Sequence, residues 1–349
     1  MKKSVTFILI YFATIYTSSA CTTFFINKNG QLVFGRNYDW VTGAGMVCTN
    51  LRGLQKTSMK AQDGKQISWI SDYGSITFNQ YGKEFPTGGM NEKGLVVELM
   101  WLDGSKYPAP DDRPAIGVLQ WIQYQLDRSA TVDAVIATEK ILRLTANQPP
   151  LHYLVADAGG NAATIEFLNG KMVVHKGKEL PFPVLTNSTY DESIQQTKDA
   201  NDSRSFSDNS IDRFAKACSM VQQFQLQNIN TPIIDYAFSI LNKVSQNDWT
   251  KWSIVYDITN KKINFKSHGF STIKTISFSS FDFNCSSTSK MYNINQNQNG
   301  EVSALFKNFS INESRPILET AVQESKKEVS ISNEAKEAIL NYSKEMKCK

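Results

Sequence analysis

Histidine is scarce in this chain, and three histidines in 349 residues are too few for most metal centres. His152, His175 and His268 stand far apart, so no two of them have the spacing of a metal-binding motif. The chain also lacks a dense stretch of lysine and arginine with interleaved aromatic residues, and its formal net charge is only +4. We therefore expect no metal, no cofactor and no nucleic-acid partner.

Long hydrophobic runs are missing as well, and no stretch after the first twenty residues could form a transmembrane helix. The beginning of the chain has the pattern of a signal peptide. Lys2 and Lys3 precede an apolar run over residues 5–13, and Ser18-Ser19-Ala20 supplies the small residues that a signal peptidase requires. The sequence predicts cleavage between Ala20 and Cys21, and a periplasmic or secreted protein.

Cleavage at that bond would give Cys21 a free α-amine beside its thiol. The reference pKa of such an amine is roughly 7.7–8.0, so part of it is unprotonated near neutral pH. The amine can then serve as the base for its own thiol, which predicts a nucleophilic enzyme. The alternative is a surface lipoprotein lipidated at Cys21, although lipidation prefers a large aliphatic residue where this chain has Ser18.

The five cysteines include no CxxC pair. If Cys21 is reserved for chemistry, the other four allow two disulfides in an exported protein. Their pairing stays open from the sequence. These four residues are Cys48, Cys218, Cys285 and Cys348.

Strands and helices are expected in groups. Asn29-Gly30 between two β-rich runs predicts a hairpin that returns Arg36 and Asp39 to the neighbourhood of Cys21. Further strands are predicted over Ser75–Gln80, Gly94–Trp101, Tyr153–Ala156, Ala162–Phe167, Lys171–Val174, Pro181–Asn187, Trp252–Asp257, Lys262–Lys266 and Thr275–Phe283. Helices are predicted over Ile116–Asp127, Thr131–Leu144, Ile211–Gln225 and Ile233–Val244. Grouped runs of this kind indicate a layered α+β architecture.

Five short motifs, in order, resemble the choloylglycine hydrolase family of N-terminal nucleophile hydrolases. They are Cys21 with the hairpin ending in Gly35-Arg36-Asn37-Tyr38-Asp39, then Gly89–Leu95, Val184–Ser188, Asp212-Arg213-Phe214 and Trp252–Asp257. The resemblance covers roughly residues 21–283. It implies a four-layer αββα sandwich, the Ntn-hydrolase fold, with one catalytic domain over residues 21–285. Residues 1–20 would be the signal peptide, and 286–349 a polar segment with a C-terminal helical tail.

The family's catalytic roles can be carried over to matching positions. Cys21 would be the nucleophile, and Asp39 would orient its α-amine. Arg36 would favour the thiolate, Asn187 would help to form the oxyanion hole, and Arg213 would complete the polar cluster. The resemblance thus implies hydrolysis of linear C–N amide bonds, an EC 3.5.1 activity, through a thioester.

Trp101 departs from the pattern of bile-salt-hydrolysing members, which carry an asparagine there. It resembles instead the branch of Gram-negative penicillin V acylases. That branch implies apolar N-acyl compounds such as penicillin V or N-acyl homoserine lactones as substrates. Conjugated bile salts are the alternative, and acyl transfer to an amine is another. Aromatic residues near the site are the candidate substrate-binding groups: Phe24, Tyr38, Trp40, Tyr81 and Trp101. The family also implies a homo-oligomer, namely a tetramer.

Overall fold

The computed structural model describes residues 21–61, 64–198 and 209–349, so the predicted signal peptide lies outside the described residues. The strands, in chain order, are β1 (Thr22–Lys28), β2 (Gln31–Asp39), β3 (Met46–Asn50), β4 (Leu54–Thr57), β5 (Ser68–Ile70), β6 (Ser75–Asn79), β7 (Pro86–Asn91), β8 (Val96–Trp101), β9 (Ala115–Ile116), β10 (Arg143–Leu144), β11 (Leu151–Ala156), β12 (Ala162–Leu168), β13 (Lys171–Lys176), β14 (Val184–Leu185), β15 (Thr250–Asp257), β16 (Lys262–Ser267), β17 (Phe270–Ser277), β18 (Lys290–Asn293), β19 (Gly300–Glu301), β20 (Lys307–Asn308) and β21 (Lys347–Cys348). The helices are α1 (Val118–Arg128), α2 (Val132–Ala137), α3 (Tyr190–Lys198), α4 (Ser210–Leu226), α5 (Ile233–Lys243), α6 (Ile311–Glu324) and α7 (Asn333–Asn341).

Two large sheets lie face to face. The first has the strand order β14-β1-β2-β15-β16-β17-β19, and the second has the order β13-β12-β11-β8-β7-β6-β3-β18-β20. Phe78 of the second sheet contacts Tyr256 and Phe265 of the first edge to face, with ring centroids 6.2 and 5.6 Å apart. Helices α4 and α5 pack on β1 and β2, while α1 packs on β7 and β8. The predicted four-layer αββα sandwich is therefore confirmed.

The first sheet brings the motifs of the sequence together. Asn29 and Gly30 both have positive φ (54° and 78°), as the tight turn between β1 and β2 requires. Thr23 pairs with Arg36 across the hairpin, and with Leu185 of β14 on the other side. Strand β15 pairs with β2 so that Thr250 stands opposite Asp39. Cys21 thus precedes a strand that has neighbours on both sides.

Three predicted elements differ from the structure. The strand predicted over Pro181–Asn187 is reduced to the two residues Val184–Leu185. The helix predicted over Thr131–Leu144 ends at Ala137, because Arg143–Leu144 forms a parallel strand pair with Ala115–Ile116. Its predicted N-cap is confirmed, since the Thr131 side chain accepts a hydrogen bond from the Ala134 N–H. The strand predicted over Thr275–Phe283 is wrong in its bounds. Strand β17 spans Phe270–Ser277 and a 3₁₀ turn follows it.

The chain beyond residue 285 is joined to both sheets. Strands β18 and β20 extend the second sheet, and β19 pairs with β17 of the first. A disulfide joins Cys285 to Cys348, while Cys21, Cys48 and Cys218 are free and buried. The disulfide pairing, which the sequence left open, is thus the bridge Cys285–Cys348, and it links the C-terminal end of the chain to residue 285. No helix among the described residues is long and apolar enough to cross a membrane.

Candidate active site

Cys21 lies at the N-terminal end of β1, with a side chain that is buried (3% exposed). Its Sγ is 3.7 Å from the backbone carbonyl oxygen of Asp39, across the β1–β2 hairpin. Burial raises the pKa of the Cys21 thiol, and the positive charge of Arg36 lowers it only in part. The thiol is therefore protonated at rest and needs a base before it can act as a nucleophile.

Asp39 is a fully buried carboxylate with one partner. Its Oδ1 accepts a hydrogen bond from Thr250 Oγ1 at 2.5 Å, whereas its Oδ2 is buried without a hydrogen-bond partner among the described residues. Burial raises the pKa of Asp39 to about 7, against the opposing charge of Arg213 and the Thr250 hydrogen bond. When Asp39 is ionised, Oδ2 can accept a hydrogen bond from one more donor, and burying the charge without that donor is costly.

Arg36 lies between Tyr38 and a buried carboxylate. Its guanidinium is 4.7 Å from the centre of the Tyr38 ring, and its Nη1 donates to the Thr87 carbonyl at 2.9 Å. The same group forms an ion pair with Glu98, and neither side chain is exposed. Tyr256 also donates its hydroxyl to Glu98. The predicted site includes Arg36, but it omits the partner that holds Arg36 in place.

Glu98 could have been found from the sequence. It is the one charged residue of the strand Val96–Trp101, where a buried charge needs a partner of opposite sign. A Cβ at Gly88 would collide with the carboxylate of Glu98, so the glycine makes room for it. Thr250, the other residue absent from the predicted site, carried no such signal.

Arg213 connects the first residues of β1 to Asn187. From α4, its Nη1 donates to the Cys21 carbonyl at 2.5 Å and to Thr22 Oγ1 at 2.7 Å. Its Nη2 donates to Asn187 Oδ1 at 2.8 Å. Asn187 Nδ2 in turn donates to the Trp101 carbonyl at 2.9 Å. The structure thus brings these predicted residues into one hydrogen-bonded cluster around Cys21.

The chain before Asn187 is held by His152. His152 Nε2 lies 2.8 Å from the Thr186 carbonyl, and Nδ1 lies 3.1 Å from Glu166 Oε1. A carbonyl can only accept, so Nε2 carries a proton. Glu166 Oε1 accepts a hydrogen bond from the Tyr190 N–H at 3.1 Å. His152 is therefore a packed strand residue that positions the turn carrying Asn187.

A cavity of about 600 Å³ opens beside the thiol. Four of the predicted aromatic residues line it together with Cys21: Tyr38, Trp40, Tyr81 and Trp101. The indole N–H of Trp101 donates to Asp103 Oδ1 at 2.6 Å, so this residue offers the cavity its apolar ring and not a donor. The ring centroids of Trp40 and Trp101 are 5.7 Å apart.

The structure places Phe24, a predicted substrate-binding residue, outside the lining of this cavity. Its side chain is fully buried and packs against Gly35, where any Cβ would collide with the ring. It belongs to the core between the strands and is absent from the cavity wall. The cavity has instead a wall that the sequence did not indicate, formed by residues 329–332, Ala335 and Ile339.

Groups that could ligate a metal do not gather at the site. Over residues 21–61, 64–198 and 209–349, no three histidine, cysteine or acidic side chains are placed to hold a metal ion. The predicted polar residues of the cluster around Cys21 supply instead one carboxylate, two guanidinium groups and one amide, from Asp39, Arg36, Arg213 and Asn187.

Comparison with known proteins defines the class. Residues 21–200 match the family of linear amide C–N hydrolases, choloylglycine hydrolase family, and the chain belongs to this family. The family consists of linear amide C–N hydrolases of the EC 3.5.1 type, and an N-terminal cysteine nucleophile is typical of this family.

The relatives include penicillin V acylases. The chain is 32% identical over 199 residues to penicillin V acylase of Pectobacterium atrosepticum, across 51% of this chain and 52% of that protein. It therefore spans about half the length of that curated relative. The structure of penicillin V acylase from Agrobacterium tumefaciens is similar with a TM-score of 0.72 and 26% identity, over 83% of this chain and 98% of that one. A mutant of the conjugated bile acid hydrolase from Clostridium perfringens shares the fold, with a TM-score of 0.65 and 16% identity, over 80% of this chain and 98% of that one.

Proposed function

We propose that the mature chain begins at Cys21, is exported, and hydrolyses linear amide bonds of apolar N-acyl compounds through a thioester on Cys21. The observation that carries the proposal is the buried oxygen Asp39 Oδ2, which has no hydrogen-bond partner among the described residues. It belongs to the residue whose carbonyl lies beside the thiol. An α-amine created at Cys21 would supply the donor that this oxygen lacks. The mainly apolar cavity beside the sulfur would take the acyl group.

The first half of the reaction forms the thioester. The thiol passes its proton to the α-amine, and Sγ attacks the amide carbon, so that a C–S bond forms and the carbonyl oxygen becomes negative. Collapse of this intermediate breaks the C–N bond, and the departing nitrogen takes the proton from the α-ammonium. The charge of Arg36 favours the thiolate while the α-amine holds the proton.

Asn187 is the proposed donor to the negative oxygen. Arg213 accepts nothing and donates to Asn187 Oδ1, which fixes Nδ2 as the donating end of the amide. Nδ2 carries two hydrogens, and the Trp101 carbonyl takes one of them. The second hydrogen is proposed to bind the oxyanion. Water then attacks the thioester with the α-amine as its base, which releases the acid and restores the thiol.

Penicillin V is the first substrate to test, because two relatives above 25% identity are named penicillin V acylases. N-acyl homoserine lactones are the second, since they also join an apolar acyl group through an amide. Export is supported by the pattern of the first twenty residues and by the Cys285–Cys348 disulfide, since disulfides persist mainly in oxidising compartments.

The test combines intact mass with turnover. A purified mature chain should begin at an unmodified Cys21 and release amine from acyl amides, while Cys21→Ala folds but is inactive. Undiminished turnover by Cys21→Ala would overturn the proposal. An added diacylglycerol mass would support the lipoprotein alternative, transfer to an added amine would reveal an acyltransferase, and preference for conjugated bile salts would reassign the substrate.

A further inference from the structure

One wall of the cavity comes from the C-terminal end of the chain. We call Val329, Ser330, Ile331, Ser332, Ala335 and Ile339 the tail wall, since all six line the cavity that holds Cys21. Ala335 and Ile339 are four residues apart on α7, so they lie on the same face of that helix. The wall is thus a helix face with the loop that precedes it.

The segment before the tail wall is hydrogen-bonded to the aromatic residues of the cavity lining. Trp40 Nε1 donates to the Tyr81 hydroxyl at 2.9 Å, and Tyr81 donates to Ser325 Oγ at 2.8 Å. Ser325 donates onward to the Ala321 carbonyl at 2.7 Å. Every hydroxyl in this chain of bonds therefore has an acceptor, which holds the end of α6 against the cavity.

The segment after the tail wall is held at three further points. The Tyr342 hydroxyl donates to the Thr57 carbonyl at 2.8 Å, and its ring meets Phe85 at 5.4 Å. Strand β21 pairs with β4, and Cys348 is bonded to Cys285. A tail fixed on both sides presents a wall of defined shape and not a loose flap.

Glycine at position 82 permits this approach. Gly82 has φ +105°, a region that favours glycine, and a Cβ there would collide with the side chain of Ile339. Ile339 therefore sits directly against the backbone of the body. The small side chain of Ala335, one turn earlier, leaves space in the same wall.

We propose that the tail wall sets the length of the acyl group that the enzyme accepts. The side chains of Val329, Ile331 and Ile339 are aliphatic, so they suit the hydrocarbon or aromatic acyl part and not a charged leaving group. The inference rests on the proposed function of Cys21. It adds that residues about 300 positions further along the chain decide which amides are cleaved.

The test uses a matched pair of substitutions on α7. Ala335→Leu fills the wall, whereas Ala338→Leu makes the same change at an exposed residue of the same helix that is absent from the cavity lining. With N-acyl glycines of four, eight and twelve carbons, Ala335→Leu should lower kcat/KM for the longest chain about tenfold relative to the shortest. Ala338→Leu should leave the ratio within about twofold. Equal ratios in the two variants would overturn the proposal.

A second pair tests enlargement. Ile339→Ala should shift the preference towards the twelve-carbon chain, while Ile317→Ala, a like change on α6 outside the cavity lining, should not. A binding experiment separates the proposed function of Cys21 from the proposed role of the tail wall. Calorimetry measures the binding of the same N-acyl glycines to the four variants, each made in a Cys21→Ala background. Length-dependent binding without wild-type turnover would defeat the proposed function and leave the tail wall supported. Absence of binding, or binding that ignores the substitutions, would defeat the tail wall.

Discussion

Arg213 Nη2 donates to Asn187 Oδ1 at 2.8 Å, and this hydrogen bond fixes Nδ2 as the donating end of the Asn187 amide. The same guanidinium holds the Cys21 carbonyl through Nη1. One side chain from α4 thus aligns the proposed nucleophile with the proposed oxyanion donor. Neither contact is local in sequence, since 192 and 26 positions separate the partners.

We expect Arg213→Lys to lower kcat about 10²–10³-fold, the usual cost of losing one oxyanion donor, because a lysine cannot reproduce the fork of bonds. Asn187→Ala should cost about the same. Steady-state kinetics of the double variant then provides the check. If the two residues act as a unit, kcat of the double variant is little lower than kcat of either single variant. A decrease in kcat equal to the product of the two single decreases would contradict the coupling.

Asp39 makes the stability of the uncleaved chain depend on pH. The pKa of Asp39 is raised from 3.8 to about 7 in the fold, so the folded state keeps a proton that the unfolded state has lost. Such a group stabilises the fold at low pH, and this contribution disappears as pH rises through about 7. In a chain that retains Ala20, the free energy of unfolding relative to Asp39→Asn should fall by on the order of 4 kcal/mol between pH 4 and 8. Urea titrations at several pH values measure it.

The matched control for this dependence is the processed chain. Its α-ammonium would lie beside Asp39 and favour the carboxylate, so the pH dependence should become shallower. An equal slope in both forms would show that the amine does not reach Asp39.

Glu98→Ala should be strongly destabilising, because it leaves Arg36 charged and unpaired in the core. Removal of one partner of a buried ion pair typically costs about 3–5 kcal/mol. The exposed Glu313→Ala on α6 should change stability by less than about 0.5 kcal/mol. Denaturant midpoints compare the two, and similar midpoints would mean that Arg36 finds another partner.

Loss of the Cys285–Cys348 disulfide should lower stability by about 2–4 kcal/mol, because the bridge closes a loop between residues 63 positions apart. Thermal unfolding of Cys285→Ala/Cys348→Ala gives the measurement. A reductant should lower the Tm of the wild type and leave that of the double variant unchanged. A similar shift in the double variant would mean that the reductant acts on the protein by a route other than this disulfide, and would contradict the prediction.

Local signals in the sequence were enough for the first sheet. Asn29-Gly30 specified the hairpin, and the hairpin placed Asp39 next to Cys21. Such signals fail where a contact is made across the fold. Thr250 reaches Asp39 only because β15 pairs with β2. A single threonine in a strand does not predict such a contact from the sequence.

The position of Phe24 away from the cavity and the unpredicted tail wall have the same cause. Phe24 is as aromatic as Trp40, but alternation along β1 turns it into the core, while Trp40 follows the end of β2 and faces the cavity. The tail wall was hidden because the apolar pattern after residue 316 is weak. Only three-dimensional packing against Tyr81 and Gly82 shows which side of α7 is covered.

The slight exposure of Cys21 has a consequence for inhibitor chemistry. A thiol that is 3% exposed and forms part of a cavity wall can be alkylated only by compounds shaped to enter that cavity. A mild electrophile attached to a narrow apolar group should therefore label the Cys21 thiol, while bulky or highly charged thiol reagents should be excluded from the cavity. The selectivity of a covalent inhibitor or activity probe would then come from the shape of the apolar group and not from the reactivity of the electrophile.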